Sequence, residues 1–134
     1  MNEKLRKLLE NSYTPYYKYP VASVIVMNDG KEFFGVNVET SSPAAGICAE
    51  RNALYSAIAE GYKKGSVKEI HVMSKTEDDC WPCFICRHAL NDLCDKDTVI
   101  YSHTYNGRIE SHTLEELCPY PFGDDNLWNQ EWLV

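Results

Sequence analysis

No apolar run in this 134-residue chain approaches the roughly 18 residues needed to cross a bilayer. The opening Met1 to Lys7 carries charge without the apolar stretch of a secretory signal. The expectation is therefore a cytoplasmic protein whose thiols stay reduced. An excess of positive charge is also missing, since 13 Lys and Arg stand against 20 Asp and Glu, a formal net charge of −7. Long polynucleotides are gripped by clustered Lys and Arg that release counterions, so this balance fits neither nucleic acid nor an anionic membrane surface. Low-complexity tracts, long linkers and internal repeats are absent too, and one domain over residues 1–134 is expected. What is present is ordinary globular composition, 44% apolar and 25% charged, in a chain long enough to build a core without disulfide staples. Six cysteines in a reducing compartment then need another explanation.

Leu5, Leu8 and Leu9 recur at helical spacing, which predicts a short amphipathic helix over residues 3–12. Pro15 and Pro20 bracket an aromatic segment from Tyr13 to Tyr19. The β-branched run Val21–Met27 and the returning Glu32–Val38, joined at Asn28-Asp29-Gly30, read as a hairpin. Residues 41–46 read as a loop, and the Ala-rich stretch from Ile47 to Tyr62 as a helix ending at Gly61 or Gly65. Val67–Met73 is a third strand, and Pro82 suits the first turn of a helix running to about Leu93. Thr98–His103 and Arg108–His112 are further strands, followed by a short helix at Thr113–Leu117 and a Pro-rich tail. An opening hairpin followed by crossover helices implies an α/β fold with a mixed sheet.

Two cysteine clusters, Cys48-Ala49-Glu50 and Pro82-Cys83-Phe84-Ile85-Cys86, fall where helices are predicted to begin. Unpaired N–H groups and the positive dipole end favour thiolate over thiol there. Two thiolates spaced by two residues can share a metal, and a third from another helix leaves one tetrahedral position open for water, the layout of a catalytic zinc site. Glu50, two residues from a ligand, cannot easily reach the metal but can stand beside that water and move protons. Three thiolates overbalance a Zn²⁺ charge, and Arg51 could offset this by donating hydrogen bonds to the sulfurs. A closed four-cysteine zinc knot that includes Cys80, and an iron–sulfur run ending at Cys118, are the bland alternatives. The spacing to Cys118 is too long for the second, and the knot leaves Glu50 and Arg51 without a purpose.

Cys-Ala-Glu ahead of Pro-Cys-x-x-Cys resembles the zinc-dependent cytidine deaminase family. The likeness extends through Tyr19-Pro20-Val21-Ala22, Phe34-Gly35-Val36-Asn37-Val38-Glu39, Cys48 to Ala53, and Thr113 to Leu127. The resemblance implies a three-layer α-β-α sandwich around a five-stranded mixed sheet with helices on both faces. It implies Zn²⁺ held by Cys48, Cys83 and Cys86, with Glu50 carrying protons to N3 of the base and then to the leaving amine. Asn37 and Glu39 would bind the ribose, Ala49 and Tyr19 would contact the substrate, and Phe122 would reach into a neighbouring subunit of a homotetramer. The implied reaction is hydrolytic deamination of cytidine or deoxycytidine in pyrimidine salvage, on a small nucleoside rather than a nucleic acid.

The pattern departs from the family near the base. Thr40-Ser41 stands where Asn-Ala is usual, Pro43 where an aromatic is expected, and Trp81 where Ser is usual. Phe84 and Ile85 replace a Gly-Ala pair, and His88 replaces Gln. These changes raise the alternative of a modified cytosine nucleoside or a blasticidin-type antibiotic as substrate, although Glu39 argues for a real ribose. A zinc-stapled binding module without turnover is the reading from another class. His88 is expected beside the cysteine sulfurs, His71 in the core or at an edge, and His103 and His112 at the surface. Cys94 and Cys118 read as small buried hydrophobes, and Cys80 as a spare ligand. Tyr13, Tyr16 and Tyr17 fit packing as well as substrate contact. Trp128 and Trp132 would cover apolar surface or a subunit contact, and Asp78-Asp79 and Asp124-Asp125 are expected in solvated loops.

Overall fold

The layers of the computed structural model, which describes residues 1–128, follow from which face each strand residue is given to. Val21–Met27 forms β1 and Glu32–Val36 forms β2, turned through Gly30 at φ +90°, a conformation L side chains resist. Along β1, Ala22 and Val24 point to one side and Ile25 and Met27 to the other. In β3 (Val67–Ser74), Met73 joins the first side while Ile70 and Val72 join the second. Both faces are thus apolar and need a cover. Helix α1 (Asn2–Leu9) supplies one with Leu5 and Leu9. Helices α2 (Ala49–Ala59) and α3 (Phe84–Leu93) supply the other with Ala53, Leu54, Ala57 and Leu90. The outcome is the expected α-β-α sandwich.

Strands β4 (Val99–His103) and β5 (Ile109–Thr113) complete a mixed sheet in the order β2-β1-β3-β4-β5. Strands β3 and β4 run parallel, and the other neighbouring pairs run antiparallel. The parallel pair is the one joined through α3, because parallel neighbours need a crossover. After β5, Thr113 caps α4 (Leu114–Leu117) in a reciprocal capping box with Glu116.

Several boundaries differ from the sequence reading. Strand β2 stops at Val36 because, at the next rung, the Val21 N–H goes to the Asn37 side-chain Oδ1 at 2.8 Å instead of to its backbone carbonyl. Val38 is then bridged to Tyr13 on one side and Ile47 on the other. The helix read from Ile47 starts at Ala49, with Cys48 as its cap, and the one read from Pro82 starts at Phe84, with Cys83 as its cap. A 3₁₀ turn, Pro43–Ala45, occupies the loop at 41–46, and Asp124-Asp125 opens a short helix, α5 (Asp124–Trp128), rather than a loop. Trp128 is exposed, and Trp132 lies outside the described residues.

His103, expected at the surface, is buried because it shares Met73's rung of the sheet, on the side that α1 covers. Its Nε2 lies 2.8 Å from His71 Nδ1, and His71 Nε2 lies 3.1 Å from Glu69 Oε1. Burial first, and His71 beside it second, push the His103 pKa down to about 4.

Two predictions follow from this packing. Helix α2 lies so close on β2 that a Cβ at Gly35 would stand 2.2 Å from the Ala49 carbonyl oxygen and 2.6 Å from the Ala53 nitrogen. Gly35→Ala should therefore cost about 2–3 kcal/mol, the upper end for overpacking, read as a lower urea midpoint. The folded state holds His103 neutral where the unfolded chain would protonate it, so its contribution is present above pH 6.5 and is lost as pH falls toward 4. Stability measured between pH 7 and pH 5.5 should fall less steeply for His103→Asn than for the native chain, by no more than about 1.4 kcal/mol per pH unit, the limit for one proton.

Candidate active site and metal centre

The site begins with two helix starts delivered to one place. Ile47 is tied to Val38 by hydrogen bonds of 3.0 Å in both directions, so the next residue, Cys48, leaves the sheet edge as the N-cap of α2. Cys83 is the N-cap of α3, and its sulfur accepts from the Cys86 N–H at 3.5 Å. The Sγ atoms of Cys48, Cys83 and Cys86 all lie within 4.8 Å of one another, with Cys48 and Cys83 3.6 Å apart. Two sulfurs each about 2.3 Å from a tetrahedral zinc would stand ~3.8 Å apart, so the three fit one such ion with its fourth side open. Among the described residues this is the one group of three or more metal-ligating side chains so placed. Cys80 and Cys118 stand outside it, which removes the closed knot and the iron–sulfur run. Cys118 instead packs against the core, and burial pushes Cys94 up to about 12, as expected of an inert thiol.

The surroundings favour thiolate at Cys48. The hydrogen bond with Cys86 pulls the Cys48 pKa down to about 5 and pushes that of Cys86 up. Arg51 Nη2 donates to Cys48 Sγ at 3.5 Å, from the next turn of the same helix. Glu50, one residue before Arg51, is only 4% exposed. Burial raises its pKa to about 7, with the Cys48 charge adding to the effect, which suits a group that must both take and give a proton near neutrality. Beside this cluster opens a cavity of about 380 Å³ whose lining includes Asn37, Glu39, Pro43, Cys48, Arg51 and Ile85.

The family model for the cytidine and deoxycytidylate deaminase zinc-binding region matches residues 1–102. The chain belongs to this deaminase family. It is 35% identical over 118 residues to a cytidine deaminase from Halalkalibacterium halodurans, covering 88% of each chain. A cytidine deaminase from Sporosarcina psychrophila is 33% identical over 122 residues, covering 91% of this chain and 88% of its own. The crystal structure of cytidine deaminase from Burkholderia pseudomallei superposes with a TM-score of 0.85 at 34% identity, covering 90% of this chain and 94% of that one. Zinc is thus the metal of this family member, and the donor set described above fits it.

Within the deaminase fold, the other singled-out residues divide. Asn37 and Glu39 reach the cavity, yet both also brace the aromatic segment. Asn37 accepts from the Val21 N–H at 2.8 Å and from the Ser12 hydroxyl, and donates to the Tyr19 carbonyl at 2.8 Å. Glu39 accepts the Tyr16 N–H at 2.9 Å and the Tyr17 N–H at 3.2 Å. Tyr16 and Tyr17 line the cavity as a consequence. Sequence reasoning did not single them out over packing, although their place between Pro15 and Pro20 was a signal. Burial raises the Tyr19 pKa, and its hydroxyl meets Ser74 and Cys80. Ala49 opens α2, where a backbone N–H has no acceptor within the helix.

His88, expected beside the sulfurs, takes other partners. One turn into α3 it faces outward, 3.4 Å from Asp92 Oδ2 and stacked 6.5 Å from Phe122. Of the seven altered positions, Thr40, Ser41, Pro43 and Ile85 line the cavity of this chain. Phe84 and His88 line a separate hollow with Tyr55, and Trp81 packs on His112 at 4.9 Å. If Arg51 offsets the sulfur charge, Arg51→Gln should weaken zinc binding about 10-fold, at the low end for a residue that supports ligands, as read by competition with a chromophoric chelator.

Proposed function

We propose that this chain is a cytidine deaminase that hydrolyses the C4 amine of cytidine or deoxycytidine, releasing ammonia and leaving the uridine product. The observation that carries the reading is the convergence of three sulfurs at two helix starts, with a buried glutamate on the first turn of α2. Cys48, Cys83 and Cys86 would hold the zinc, which supplies a Lewis acid that turns water into a nucleophile at neutral pH. Glu50 takes the proton that the water gives up and passes it to N3 of the pyrimidine. It then takes the proton of the new C4 hydroxyl and delivers it to the leaving amine as the C4 carbonyl forms, so that one carboxyl serves both transfers. Its raised pKa, about 7, supports that double duty. Arg51 keeps Cys48 in its charged form.

Asn37 and Glu39 bind the sugar hydroxyls at the cavity rim, Ala49 offers its free N–H to the base, and Tyr19 packs beside it. Retention of a carboxylate at Glu39 supports a ribose-bearing substrate over a non-ribose antibiotic. Phe122 is largely exposed and stands with exposed Phe84, Ile85 and Tyr55 on the outer side of α2 and α3, which supports a homotetramer whose sites share Phe122 between subunits. A cytoplasmic role in pyrimidine salvage and one functional domain over residues 1–134 complete the proposal. No helix among the described residues is long and apolar enough to cross a membrane.

Ammonia release from the zinc-loaded chain given cytidine tests the reading, with Glu50→Gln as the comparison. The native chain should turn over, and Glu50→Gln should lose at least about 100-fold in kcat while keeping its zinc, as expected for removal of a general acid–base group. Cytidine left untouched by a chain that binds zinc stoichiometrically would overturn it.

A further inference from the structure

The segment that carries Cys83 to its place, residues 75–82, has no regular secondary structure. It crosses from the end of β3 to the start of α3, so something other than a helix or sheet ladder must fix it. The Arg87 side chain holds its far end, donating to the Pro82 carbonyl at 2.7 Å and the Leu117 carbonyl at 2.9 Å. Near the other end Thr76 accepts the Tyr105 N–H at 2.9 Å, and between them one buried hydroxyl ties Asp79 and Cys80 together. Ser102, wholly buried on β4, accepts the Cys80 N–H at 3.0 Å and donates to Asp79 Oδ1 at 3.1 Å.

The direction of those bonds is forced. A carboxylate only accepts, so the Ser102 proton must point at Asp79, and that leaves a lone pair for the Cys80 N–H. Asp79 therefore locks the rotor that holds the chain three residues before Cys83. Arg108 approaches Asp79 from outside, at 3.3 and 3.2 Å from its two oxygens, and also donates to the Glu77 carbonyl at 3.3 Å. Its side chain is about half exposed and shared with Glu110, so this ion pair is worth little beside the buried hydroxyl. Asp79 was expected to be no more than a solvated loop residue.

We propose that Asp79 and Ser102 are positioning residues for the metal centre, setting where Cys83 and the first turn of α3 stand relative to Cys48. The inference rests on the reading that Cys48, Cys83 and Cys86 hold zinc. It predicts a graded pattern: Asp79 and Ser102 matter, Asp79→Asn keeps an acceptor for the hydroxyl and is tolerated, and Arg108 matters little.

The test is zinc affinity by competition with a chromophoric chelator, together with the visible absorption of the cobalt-loaded protein, which reports tetrahedral thiolate geometry. Thr98→Ala serves as the structural control, because it also deletes a buried hydroxyl, one bonded to the Val67 carbonyl at 3.3 Å at the other end of β4. Asp79→Ala and Ser102→Ala should each bind zinc about 10-fold more weakly, in the range for groups supporting metal ligands, with altered cobalt bands. Asp79→Asn, Arg108→Ala and Thr98→Ala should stay within about threefold of the native chain, even where thermal stability falls. Should Ser102→Ala fail to fold, Asp79→Ala, on the loop surface, decides alone. Native-like affinity and cobalt bands in Asp79→Ala would overturn the proposal, as would an equal loss in Thr98→Ala. The ligand assignment is judged separately by Cys83→Ser. If Cys83→Ser binds zinc as tightly as the native chain, the reading beneath the proposal fails, and the positioning role falls with it.

Discussion

Three sulfurs can meet only if two helices start at the same end of one sheet, and the contact that arranges this is the close seat of α2 on β2. At Gly35 the backbones approach so nearly that no side chain fits between them. Asn52 adds a hydrogen bond from α2 to the Val36 carbonyl at 3.0 Å. The first turn of α2 is fixed along its length by this contact and laterally by the Ile47–Val38 pairing. Cys48 and Glu50 take their places from the sheet and not from a loop. Sites built on rigid elements hold their geometry better than sites built on loops.

The second helix start is set differently. Residues before α3 lack a ladder, and the chain replaces it with side-chain bonds from Arg87, Ser102 and Asp79. One half of the metal centre therefore rests on backbone packing and the other on a polar network with few members. Every buried polar atom in such a network must keep its partner, since the low dielectric that strengthens each bond also makes an orphaned group costly.

Much of this was legible beforehand. The β-branched run Val21–Met27 and the Asn-Asp-Gly turn identified the hairpin, and the two cysteine clusters fell at both predicted helix starts. Boundaries were less legible, because Asn37 ends β2 through bonds to residues far back in the sequence that no local pattern reveals. His103 shows the same limit. At the end of β4, its period fits either face, and only the placement of β4 beside β3 decides that it is buried. The meeting of Cys48, Cys83 and Cys86 was readable because helix starts and spacing are local. The outward turn of His88 was not, since it depends on which side of α3 meets the core.

Glu39 and Asn37 each serve two masters. The same carboxylate that reaches the cavity holds the amides of Tyr16 and Tyr17, and the same amide group stitches Ser12, Tyr19 and Val21 together. The rim therefore arrives already ordered, and a ligand entering it loses little affinity to freezing a mobile segment. The corollary concerns how such a protein can change over evolutionary time. A substitution at either residue would first unfasten the segment that lines the cavity, so under the proposed sugar-binding role any change of sugar preference is constrained by folding.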